Sequence, residues 1–186
     1  MKKFIRLGYM ALMAIVASVI VTSCSKSDDE GGFSPSALGV VYGFTDVVMD
    51  NYDLKFTYTD ENGKTVSEDI KKEQTEVTDT IIRGEKYSYY QWEKAVVFNK
   101  SLTSGEAYVT ATKKANYAIK DDGKYTWLIT QGCAAVKANT KKMNITRHAQ
   151  YGKNAQGSKF NDIIQSAIST TRKTYTVGSN GTLTVK

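Results

Sequence analysis

The chain has 186 residues, 41% of them hydrophobic and 24% charged, with a formal net charge of +6. That length holds one domain with a proper core. Two cysteines and a single histidine leave no room for a disulfide framework or a zinc cage of the usual kind.

The N-terminus is a targeting segment. Lys2, Lys3 and Arg6 form a positive head before "LGYMALMAIVASVIV", fifteen uncharged residues from Leu7 to Val21. A membrane-spanning helix needs ~20, so this stretch suits a signal-peptide core. The positive head favours the cytoplasmic side and directs the rest of the chain outward. Small Ser23 then precedes Cys24, and the chain turns acidic and glycine-rich.

These residues resemble a known class. Val21-Thr22-Ser23-Cys24 is similar to the lipobox of bacterial lipoproteins. The acidic run Ser27-Asp28-Asp29-Glu30 resembles the surface-export signal of Bacteroidetes-type surface lipoproteins. The resemblance implies a signal peptide over residues 1–23, lipid on Cys24, and a lipidated flexible tether over 24–36. It implies an outer-membrane anchor facing the cell exterior, with a periplasm-facing anchor as the alternative. Losing the leader, with three basic residues and no acid, lowers the charge from +6 to +3 and leaves Cys133 without a partner.

Residues 37–186 form a single β-rich domain. "YDLKFTYTD" places Leu54, Phe56 and Tyr58 on one face, and "ENG" at 61–63 turns the chain into "KTVSEDI". "TEVTDTII" carries Val77, Asp79 and Ile81 on one parity. "KYSYYQWEKAVVF" and "EAYVTATKK" follow, joined near Ser104-Gly105. Asp121-Asp122-Gly123 reads as another hairpin turn before "KYTWLIT". "SKFNDIIQSAIS" has Phe160, Ile163, Ile164, Ala167 and Ile168 at helical spacing, with Gly157-Ser158 as stop and cap. "KTYTV" and "TLTVK" bracket a final turn at 178–181. The pattern predicts a mainly β fold: an antiparallel β-sandwich, immunoglobulin-like, with one amphipathic helix near the C-terminus. An up-and-down β-barrel would alternate in the same way.

Little chemistry is visible. His148 is the only histidine, and no nucleophile-elbow motif accompanies it. An enzyme centred on His148 is therefore the weakest of three functional readings, and no cofactor or metal is implied. Cys133 shares a parity with Trp127 and Ile129, as a small buried residue would. Residues 137–186 carry nine Lys or Arg against one acid, Asp162, an asymmetry that would steer an anionic partner or else spread over several faces. Nucleic-acid motifs are absent. The candidate ligand-binding residues are aromatic: Tyr87 and Tyr89 on one strand face, Tyr90 and Trp92 on the other. Exposed rings would stack on sugars, whereas Trp92 and Trp127 suit the core. Asp79-Thr80-Ile81 is similar to the O-glycosylation signal of Bacteroidetes secreted proteins, which implies a glycan on Thr80. The leading reading is a non-catalytic, cell-surface lipoprotein that binds a glycan or protein ligand, an anionic one if the basic residues of 137–186 gather on one face. The alternative is a structural or assembly subunit of an envelope or surface-appendage complex.

Overall fold

Strand β1, Ser36–Phe44, is apolar on both faces and so belongs in the middle of a sheet. Leu38, Val40, Tyr42 and Phe44 enter the main core, while Ala37, Gly39, Val41 and Gly43 take the opposite parity. β5 (Glu85–Phe98) and β7 (Lys124–Lys137) flank it, setting Phe44 opposite Tyr90 on one side and Ile129 on the other. β4 (Glu76–Ile82) and β8 (Asn144–Gln156) complete a first sheet of order β4-β5-β1-β7-β8. The second sheet runs β10-β9-β6-β2-β3, from Leu183–Val185, Lys173–Val177, Leu102–Lys113, Tyr52–Thr59 and Thr65–Ile70. These come from a computed structural model that describes residues 33–137 and 144–186. The leader, the lipobox with Cys24 and the acidic run lie outside the described residues.

All pairings are antiparallel, and the two five-stranded sheets face each other across one core without closing. The expected sandwich is therefore the architecture, and the barrel is not. Its centre is aromatic. Trp92 packs on Tyr42 and Phe56, with centroids 6.3 and 5.3 Å away, and Phe98 packs on Tyr175 at 5.4 Å. Cys133 is buried in the same core, and burial pushes its thiol up to about 11. It is a small apolar residue at neutral pH.

Two helices move the chain between sheets. α1 (Asp46–Asn51) carries it from β1 to β2. Its Asn51 side chain donates to the Val47 carbonyl and accepts from the Ala118 N–H at 2.8 Å, fixing the loop after β6. α2 (Gly157–Ser169) buries Phe160, Ile164, Ala167 and Ile168, the stripe its spacing predicts. Ser158 does not cap it. The N–H groups of Gly157 and Ser158 instead donate to the carbonyls of Gly123 and Asp121, at 2.9 and 3.1 Å. These loop carbonyls satisfy N–H groups that have no partner within the helix.

The connections correct three expectations. Asp121-Asp122-Gly123 is not a hairpin, because β6 and β7 lie in different sheets; the turn receives α2 instead. β5 and β6 likewise occupy different sheets and part at residues 99–101, with Gly105 inside β6 where its pairing with β9 shifts. A side chain at Gly105 would lie 2.4 Å from the Tyr175 ring, which explains the glycine. The folded body also reaches back into the expected tether. Phe33 packs against the core and Ser36 is buried.

Candidate functional site

On β5, alternation places Tyr87, Tyr89, Gln91, Glu93, Ala95 and Val97 on the outer face of the first sheet. Tyr90 and Trp92 take the inner parity, so each predicted pair of aromatics shares a face. The pairs have different surroundings. Trp92 is only 6% exposed and stacks within the core, so its ring has no surface to offer a ligand. That removes it from the binding candidates, and its large area serves the core instead. Tyr90 is half-buried at the flank of the sandwich, with the Lys72 ammonium 4.7 Å from its ring centroid. Lys72 also binds Asp46 and Asp50, each at 2.6 Å. Tyr90 thus belongs to a clasp between α1 and the loop before β4.

The outer face has a defined construction. β1 and β7 supply an uncharged floor that includes Val41, Gly43, Leu128, Thr130 and Ala134. Ala37 and Ala134 anchor a small apolar cluster there, with Val41, Ala95, Val97 and Val136 around them. At one end, tyrosines stand over this floor. Tyr87 of β5 meets Tyr151 of β8 edge to face, 5.7 Å between centroids, although β1 and β7 separate their strands. Glu85 and Lys153 bridge the same strands at 2.5 Å. Tyr89 lies over Gly43, where a Cβ would come within 2.4 Å of its ring. The glycine is what lets the ring settle on the sheet.

Tyr87 is 4% exposed, so its ring acts mainly as a support, whereas Tyr151 and Tyr89 are half-buried. Tyr151 is the residue that sequence reasoning missed. β8 lacks an apolar alternation, and the only signal was that a tyrosine lay two positions beyond Ala149 in an otherwise polar run. Thr80 sits opposite Tyr87 on β4 and is half-buried, at the margin of this face. Its neighbour Asp79 binds Lys86 at 2.7 Å and accepts from Ser88 at 2.6 Å.

Polar groups lie beside the tyrosines. The Gln91 amide donates to one oxygen of Glu93 at 2.7 Å, and the other oxygen is buried without a partner. Burial, opposed by Gln91 and reinforced by Glu76, lifts the Glu93 carboxyl above its ordinary range. A raised acid in the folded state costs stability once it ionises, and that cost disappears as pH falls through its folded pKa toward 4.5. Glu93→Gln should therefore raise the melting temperature at pH 7. Melts repeated at decreasing pH should show the wild type catching up; a constant gap would refute the assignment.

No protein-family model matches the chain, and no match was found among curated proteins or solved structures. The functional reading therefore rests on the site. His148 lies away from the tyrosine face, on the inner parity of β8 opposite Gln131. Among the described residues, no carboxylate lines the cavity beside it. Among the described residues, no group of three or more His, Cys, Asp or Glu side chains is arranged to hold a metal ion. The basic residues of the C-terminal half disperse: Arg172 pairs with Glu106, Lys153 with Glu85, and Lys173 faces the cavity.

Proposed function

We propose that this chain is a non-catalytic lipoprotein, anchored in the outer membrane through Cys24 and facing the cell exterior, that binds a glycan on the outer face of its first sheet. The observation that carries this reading is the tyrosine cluster over an uncharged floor, with Tyr89 and Tyr151 partly open beside the Gln91–Glu93 pair. Sugar rings offer apolar C–H faces to aromatic rings and hydroxyls to amides and carboxylates. A protein ligand would use the same face. Binding of cell-surface polysaccharides to detergent-solubilised mature protein tests it. Tyr151→Ala should weaken binding by about 3- to 10-fold, the worth of one aromatic contact. Unchanged binding in both Tyr151→Ala and Tyr89→Ala would sink the site. Cys24→Ala should abolish lipid labelling, and labelling that persists would sink the anchor.

One observation favours the assembly reading. Edge strand β4 leaves Val77 and Ile81 exposed at 67% and 72%. An apolar sheet edge can pair with a strand from another chain. A single stoichiometric partner crosslinked through β4 in intact cells would favour assembly over glycan capture.

A further inference from the structure

On one flank the space between the sheets is spanned by an ion pair, Lys94 of β5 with Glu68 of β3 at 2.8 Å. Near β8 there is instead a cavity of about 370 Å³, lined by Gln131, Cys133, Thr146, His148, Thr170 and Lys173. That volume lies in the range of small-molecule sites, roughly 300–1,000 Å³. Its charge is one-sided. Among the described residues, Lys173 brings an ammonium group to the wall, no carboxylate lines it, and Lys173 forms no ion pair. The adjacent Arg172 differs, since Glu106 neutralises it and its guanidinium lies 3.9 Å from the centroid of the Tyr108 ring.

A second observation comes from the interior. Tyr42 is fully buried beside Gln131 and Cys133 and closes the inner end of this region to solvent. Gln131 gives an amide N–H to the Thr171 carbonyl at 2.6 Å, which holds its side chain at the inner end of the cavity. Thr146, Thr170 and His148 place further hydrogen-bonding groups at the exposed rim.

We propose that this cavity binds an acidic sugar, with its carboxylate on Lys173 and its hydroxyls among Gln131, Thr146, His148 and Thr170. The site is separate from the tyrosine face and does not depend on it. Binding, not covalent chemistry, is its function, because Cys133 is a neutral thiol at neutral pH.

The chain contains one histidine, so the full-length protein in detergent gives a single imidazole signal, from His148. Titration with glucuronate should shift that signal saturably, acetate should bind more weakly, and glucose should leave it unmoved. Lys173→Gln should weaken glucuronate by ~10-fold, as loss of a charge-assisted hydrogen bond implies, while polysaccharide binding that depends on Tyr151 is retained. Thr146→Val, at an exposed position, provides a second test should Lys173→Gln fail to fold. No saturable shift, acetate or glucose binding as tightly as glucuronate, or full affinity in a folded Lys173→Gln or Thr146→Val protein would each overturn the proposal.

Discussion

Trp92→Ala should lower the free energy of unfolding by ~3–5 kcal/mol, the range for removing a large aromatic from a packed core. The ring is 6% exposed and contacts Tyr42 and Phe56, which bring both sheets to one point. Collapse of the neighbours would recover part of that loss. Here Phe56 already packs against Tyr58 at 5.5 Å, and Tyr42 against Phe44 at 6.4 Å, so the aromatic network limits rearrangement. Urea denaturation checks the figure, and a loss below ~1 kcal/mol would place the ring outside the core. The result also bears on function. Trp92 and Tyr89 are three residues apart on one strand but face opposite layers. A Trp92→Ala protein that stops binding glycan has lost its fold, whereas Tyr151→Ala should remove a surface contact and keep the melting transition.

The contrast shows where the sequence was legible. Leu54, Phe56 and Tyr58 alternate with polar residues because β2 has one core face, and Gly63 has φ of 75° at the turn into β3. The stripe on α2 was clear for the same reason, since only one side of that helix is covered. β1 was harder to recognise because it is buried on both faces and shows no alternation. α1 has six residues, too few for helical periodicity to emerge. β8 is an edge strand whose sequence is polar on both parities, so its place beside β7 depends on long-range pairing. The candidate site reflects these limits. Tyr87 and Tyr89 were visible on β5, but Tyr151 and the floor of β1 and β7 join them only through strand order. The cavity around Lys173 also needed the fold, since its residues come from β7, β8, β9 and the end of α2.

Gly181→Ala should be the most damaging of the glycine substitutions in turns, costing at least ~2 kcal/mol. Two effects add. Gly181 has φ of 78°, where a side chain costs ~1–2 kcal/mol. A Cβ there would also lie 1.7 Å from the Ser34 carbonyl oxygen, a backbone atom leading into β1. Gly63 is the matched control, with φ of 75° and nothing within 4 Å of an added Cβ. Gly63→Ala should therefore lose only the conformational part, and the difference between the two variants isolates the contact with Ser34. Urea midpoints measure that difference. Equal losses would mean that the lead-in at 33–35 is not held by the β9–β10 turn. If the contact matters as argued, limited proteolysis should also cut Gly181→Ala near Phe33 while sparing Gly63→Ala. Only eight residues separate Cys24 from Phe33, so this contact determines where the folded body begins relative to the proposed lipid anchor. Releasing it would detach Phe33, Ser34 and Pro35 from the folded body and, with the proposed anchor at Cys24, let the proposed binding faces stand farther from the membrane.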